Sequence, residues 1–285
     1  MIRRLLALAA ALALASCGAP EREWPAPSPA LWEVTGEDGA RGWLFGTIHA
    51  LPDGVEWRTP ALEASLGKAG VLVVEVAALG DRAKGAEAFA AVSTSPRLPP
   101  LLQRVPAADR ATLAEALHRA GLDEADLART ESWAAALLIA NGTRQSDAGN
   151  GVDRALLARG LPVIGLEGYA VQFAMFDRLA EEDQAVLLAQ AAREAGRGTE
   201  QRVAEAWLTG DVAVLEREMR DGILADPELR QALLTRRNEA WAERVAGLLS
   251  EGRRPFVAVG AGHMLGNEGL PALLAARGYT VRRIQ

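Results

Sequence analysis

Two stretches near opposite ends of the chain share one arrangement. "GWLFGTIHALPDG" (residues 42–54) and "FVAVGAGHMLGNEG" (residues 256–269) each run apolar, reach a glycine, and after two intervening residues place a histidine before turn residues. The downstream segments match as well. His49 precedes a turn, a helix containing Pro60, Ala61 and Leu62, a glycine and a strand; His263 precedes a turn, a helix containing Pro271, Ala272 and Leu273, then Gly278 and the strand "YTVRRI". A repeated strand–turn–helix–strand unit puts the chain in the α/β class. Right-handed crossovers in one sheet bring both histidines to the same carboxyl edge, where open α/β sheets bind ligands. The alternative, that the short match is chance and both histidines are loop residues, stands beside it.

The segments between fill in the architecture. Leu31 to Thr35, the turn "GEDG" and Gly42 to Thr47 read as a hairpin. Thr59 is placed to cap a helix that has Pro60 at its first position and Gly70 as its stop. "VLVVEV" (71–76) is apolar on both faces, as in a buried strand with parallel neighbours, and a right-handed crossover sets it beside the strand ending at Gly46. From about residue 81 to 250 the helical period dominates, interrupted by the short strand "PVIGLE". The expectation is one α/β domain over residues 31–285. Its mixed central sheet is assembled from the N- and C-terminal strand–helix–strand units, and a large helical insertion covers it.

The N-terminus carries targeting signals rather than fold. "MIRR", an apolar "LLALAAALALA" too short to span a bilayer stably, and "LASC" form a secretory signal over residues 1–16. The ending resembles the bacterial lipobox, which implies cleavage before Cys17 and acylation of that residue, the only cysteine. An ordinary signal peptide with an incidental cysteine is the alternative. Gly18 rather than aspartate follows, so the expected location is the outer membrane, facing the periplasm, with a proline-rich tether over residues 17–30. The membrane is thus a partner through the lipid. A net charge of −6 and the lack of any long basic run exclude nucleic acid as one.

Glu75 lies inside "VLVVEV", where a carboxylate needs a cation or donors to offset desolvation. Together His49, His263 and Glu75 make a two-imidazole, one-carboxylate set suited to zinc, manganese or cobalt with a position left for water. Glu75 can equally be a structural carboxylate met by backbone amides. No HExxH motif, GxSxG elbow, P-loop or Rossmann fingerprint is present.

"LFGTIH", "VVEV", "VDRALLARGLPVIGLEGYAVQ" and "VAVGAGHMLGNEGLPALLAARGYTV", in that order, resemble the paired GxxH pattern of the TraB/GumN family, to which the TIKI proteases are similar. The resemblance covers roughly residues 31–285. It implies a fold related to erythromycin-esterase-like and ChaN-like proteins. It also implies a divalent-metal-dependent hydrolase, most simply a peptidase, with His49, Glu75 and His263 as metal ligands and catalytic groups acting on a peptide or other small substrate. A metal-independent esterase-like hydrolase, and a non-catalytic lipoprotein binding peptide or glycan, are the alternatives. Glu167 falls at the family's GLE position, as a cleft residue, a partner orienting a histidine, or a first-turn helix charge. Asp153 matches an acidic family position near a helix start and reads first as a helix cap, with a part in the chemistry as the alternative; Arg237 reads first as a solvated helix charge, with a fork for a substrate carboxylate as the alternative. Gly46, Gly260 and Gly262 permit tight strand exits, either because a Cβ would crowd them or because of their dihedrals. His118 reads as a surface residue at a helix end.

Overall fold

The computed structural model describes residues 23–285. The signal segment and Cys17 lie outside the described residues. Six strands form one sheet in the order β4-β3-β5-β2-β1-β6, with β1 (Leu31–Thr35), β2 (Arg41–Thr47), β3 (Val71–Val76), β4 (Val163–Glu167), β5 (Pro255–Gly260) and β6 (Thr280–Arg283). β1 is antiparallel to both its neighbours, and β2, β5, β3 and β4 run parallel. The helices are α1 (Pro60–Lys68), α2 (Arg82–Val92), α3 (Arg110–Ala120), α4 (Ser132–Gly142), α5 (Val152–Leu157) and α6 (Tyr169–Asp177) in the first part of the chain. They continue with α7 (Glu181–Glu194), α8 (Glu200–Thr209), α9 (Val212–Asp221), α10 (Pro227–Arg230), α11 (Arg236–Ser250) and α12 (Leu270–Ala276). Among the described residues no helix is long and apolar enough to cross a membrane.

The mixed α/β sheet, the hairpin and the helical insertion are present as the sequence indicates, and Thr59 caps α1 through the Leu62 N–H at 3.2 Å. Two expectations are corrected. β3 does not lie beside β2, because β5 is inserted between them. The sheet is also not built from the two end units alone, since β4, from the insertion, pairs with β3 as an edge strand. Crossover direction accounts for both. The connection from β2 to β3 steps over one strand toward the β4 edge, whereas that from β5 to β6 passes over β2 and β1 toward the opposite edge. Right-handed crossovers travelling in opposite directions lie on opposite faces. Accordingly Leu62 and Leu66 of α1 join Phe45, Leu72, Val74 and Phe256 in one apolar cluster, while Leu270 and Leu274 of α12 join Leu44, Val73, Val257 and Val259 in the other. Burying β5 on both faces accounts for its unbroken apolar run.

Of the proline-rich stretch, residues 23–30 are irregular and laid onto the domain. Trp24 packs against the α1-side cluster, the Ser28 N–H donates to the Leu208 carbonyl at 2.7 Å, and Gln285 Nε2 donates to the Pro29 carbonyl at 2.8 Å.

Candidate functional site

The carboxyl ends of β2, β5 and β3 lie side by side, and each delivers one residue. His49 comes two residues after β2, His263 stands in the 3-10 turn Ala261–Met264 after β5, and Glu75 is the penultimate residue of β3. They meet at Gly260. A methyl built there would lie 3.1 Å from Glu75 Oε1, 3.6 Å from His49 Nε2 and 3.8 Å from His263 Cδ2.

Each imidazole is held through Nδ1. His49 Nδ1 is 2.9 Å from Asp153 Oδ2, and Thr47 Oγ1 donates to the other oxygen of Asp153 at 2.6 Å. His263 Nδ1 is 2.6 Å from Asn238 Oδ1, whose amide nitrogen donates to the Glu268 carbonyl at 2.7 Å. Both partners of Nδ1 are oxygens, so Nδ1 is the donor in each ring. Glu75 Oε1 accepts the Gly260 N–H at 2.8 Å; Oε2 accepts Arg237 Nη2 at 2.9 Å and Gln172 Nε2 at 3.2 Å. Arg237 forks onto both oxygens of Glu167 at 2.9 Å, and its Nη1 comes 3.2 Å from His263 Nε2. Its guanidinium lies 4.5 Å over the Trp241 ring, which is itself 4.4 Å from the ring of His263.

The surroundings push the titratable groups in different directions. Burial opposes charge on His49, but the hydrogen bond and charge of Asp153, with the charge of Glu75, outweigh it and raise the imidazole to about 9. The ring is 63% exposed, so water relieves the desolvation and also screens the attraction. Burial, with the positive charges of Glu75's other neighbours Arg237 and His49, pushes His263 down to about 3 despite Glu75 itself. Burial works against the charge of Glu75, yet the imidazoles, Arg237 and the Gly260 N–H bring it down to about 2. With His263 neutral at physiological pH, Arg237 and His49 supply that attraction.

Several residues have other roles than the sequence alone assigns. Asp153 does not cap a helix: Gly151 is the N-cap of α5, and the Asp153 carboxylate is buried against His49 and Thr47. Arg237 is not a solvated charge, its side chain being 12% exposed between Glu75 and Glu167. Glu167 orients that arginine rather than a histidine, and α6 is capped by Gly168. Crowding, not dihedral angle, accounts for the strand-exit glycines: none of Gly46, Gly260 and Gly262 has a positive φ, but a Cβ on Gly46 would fall 2.9 Å from Ala261 Cα and one on Gly262 3.3 Å from Met219 Sδ. His118 is exposed at the end of α3, away from the site. Asn238, Thr47, Gln172 and Trp241 complete the site, although no motif in the sequence marks them. Asn238 does leave a signal, since it falls on the apolar stripe Trp241, Ala242, Val245 and Leu249 of α11 and is fully buried there, where an amide needs a partner.

Gly260 gives a direct check. Its φ of −46° and ψ of 136° are open to alanine, so Gly260→Ala is expected to fold normally. The added methyl intrudes on Glu75 and both imidazoles, so any reaction run at this edge is expected to slow more than about tenfold with little change in melting temperature, a loss of the order that small misplacements at a reacting centre produce. Unchanged turnover would separate this edge from the chemistry.

A family model described as the TraB/PrgY/gumN family matches residues 30–283. No curated protein and no solved structure matches the chain.

Proposed function

The chain belongs to the TraB/PrgY/gumN family, and from that premise we propose that it is a hydrolase, most simply a peptidase, working at the carboxyl edge of the sheet through His49, Glu75 and His263. The observation that carries this reading is the convergence of the two imidazoles and the Glu75 carboxylate on Gly260, each imidazole tied down through Nδ1. The kinship to erythromycin-esterase-like and ChaN-like folds belongs to the same proposal.

By chemical type the donor set suits a divalent metal, although among the described residues no three such side chains stand in a metal-holding arrangement, so the ligands would have to close in on an ion. Holding Nδ1 of each ring on an oxygen acceptor is how proteins present Nε2 to a metal ion. A metal at Nε2 would displace the proton of His49; the carboxylates of Glu75, Asp153 and Glu167 would then face only the guanidinium of Arg237, and a divalent ion would balance the remaining two negative charges. His49, Glu75 and His263 would hold it, with Arg237 Nη1 releasing His263 Nε2. Manganese, cobalt or zinc there would supply Lewis acidity and a bound water of lowered pKa, toward roughly 7. The protein's own groups do the rest. Asp153 and Asn238 fix the rings, Trp241 shields one side of His263 from water, and Arg237 Nη1, once off His263, would be free to donate to negative charge developing on a scissile carbonyl.

A second reading needs no metal and rests on the 3.2 Å approach of Arg237 Nη1 to His263 Nε2, the atom a metal would take. With His263 Nε2 engaged by Arg237, Glu75 would then accept the proton of the attacking water directly. Protein purified without chelators, analysed for metal and incubated with a broad peptide library plus manganese, cobalt or zinc, separates the readings. About one ion per chain and cleavage that EDTA and His49→Ala abolish is the expected result. Cleavage that survives removal of all metal favours the second reading, and no cleavage by metal-loaded protein favours a peptide- or glycan-binding lipoprotein instead.

The proposed location is the outer-membrane inner leaflet, through lipid on Cys17. Labelled palmitate is expected to enter the wild-type chain and not Cys17→Ser, which should be recovered in the soluble fraction. An exported wild type that never takes up palmitate ends that proposal.

A further inference from the structure

A cleft of about 900 Å³ lies behind the proposed centre, within the size range of ligand-binding pockets. Arg237, Glu167 and Trp241 form its inner wall, and the other faces of Arg237 and Trp241 meet Glu75 and His263. One long wall is the continuous helical rod of α10, residues 231–235 and α11. Glu228, Ala232, Arg236, Ala240 and Arg244 recur along it at every fourth position, so they form one stripe, and all of them line the cleft. Residues 231–235 wind as a π-helix, so the stripe spans at most about 24 Å at 1.5 Å per residue, the reach of about seven extended residues. The other wall is α6, which packs on α2 and α4 and turns Val171 and Met175 to the cleft. Val171 is 54% exposed.

From this geometry we infer that the cleft is a substrate subsite for an extended peptide segment that carries a carboxylate beside apolar side chains. The inference rests on the hydrolase reading and adds the class of substrate. Ala232 and Ala240 leave room on the stripe for apolar side chains, and Met175 is an adaptable surface to receive them. The charges select the acid. Arg178, Arg236 and Arg244 line the cleft, and among the described residues none is in an ion pair; Arg244 reaches only the Leu166 carbonyl, at 3.1 Å. Guanidiniums left open in this way match a carboxylate by charge and by their forked donors. Glu228 and the neighbouring Asp183 occupy the start of the stripe. They repel an acidic group there and so fix which way the segment lies. A chain of net charge −6 with acids in this cleft does not suit nucleic acid.

The test is fluorescence anisotropy with a fluorescein-labelled decapeptide of leucine, alanine and glutamate, and its glutamine counterpart. Wild type is expected to bind the acidic peptide at least about tenfold more tightly, the effect of a single good charge-assisted contact. Arg236→Glu should erase the preference, with Arg236→Gln intermediate, and Ala240→Trp should weaken both peptides by filling the cleft. Arg236 and Ala240 are exposed, so calorimetry should find all three variants folded. Equal affinity for the two peptides, or a preference that survives Arg236→Glu, overturns the inference. Binding is read without turnover, so the two proposals fail separately. Preferential binding of an uncleaved peptide supports the subsite and counts against the hydrolase, whereas cleavage with no acidic preference overturns the subsite alone.

Discussion

Glu75→Gln is expected to lower the proposed hydrolysis by at least about 100-fold, the scale of a lost general base or charged ligand, while the protein stays folded. Glutamine keeps the shape and one acceptor oxygen, so the Gly260 N–H or the Arg237 and Gln172 donors remain satisfied, but not both sets. At least one donor is therefore set against the new amide, and a fall of a few degrees in melting temperature is expected. The decisive quantity is kcat/KM per folded molecule. A purely structural Glu75 would lower the melting temperature and leave that ratio nearly intact, whereas a reacting or metal-holding Glu75 loses the ratio at temperatures where the variant is fully folded. Acid adds a sign. The pKa of Glu75 is brought down to about 2 from an ordinary 4.5, so the stability its pairing contributes is complete above pH 4.5 and is lost as pH falls toward 2. Glu75→Gln should accordingly flatten the acid limb of the stability curve.

The largest effect on stability is expected at Arg237. This guanidinium is the shared partner of two carboxylates whose side chains are only 12% and 8% exposed. Removing it while keeping bulk, as in Arg237→Met, leaves Glu75 and Glu167 facing one another without a cation. Breaking a buried ion pair from one side in this way costs about 3 to 5 kcal/mol, measured by urea unfolding at pH 7. The deficit should shrink on acidification, because both carboxylates can then protonate in the variant. Arg237→Lys should recover only part of it, since an ammonium cannot fork onto Glu167 as Nε and Nη2 do. Arg237→Met combined with Glu167→Gln should be more stable than Arg237→Met alone. A cost below about 1 kcal/mol for Arg237→Met would mean that the pair is solvated in solution.

The local pieces of this protein are legible in its residues. A glycine, two residues and a histidine after an apolar run read as a strand exit that presents an imidazole, and the chain has two. Thr59 and Pro60 fix the start of α1, and the both-faces apolar character of "VLVVEV" marks a buried strand in which Glu75 has to find partners. These are readable because caps, periodicity and burial depend on residues a few positions apart. Strand order is not readable in the same way. That β5 enters between β2 and β3, and that β4 of the insertion joins the edge, depends on which connection crosses which strand, and packing on both faces at once settles it. The same holds for the partners of the site. In sequence, Asp153 looks like a cap and Arg237 like a surface charge, because at one helix position nothing distinguishes a side chain facing solvent from one facing a distant carboxylate. Asp153 meets His49 across 104 residues and Arg237 meets Glu75 across 162. Such pairs exist only once the crossovers have brought the carboxyl ends of three strands and the start of α11 together, so the surroundings of the histidines are a property of the folded chain and of no segment within it.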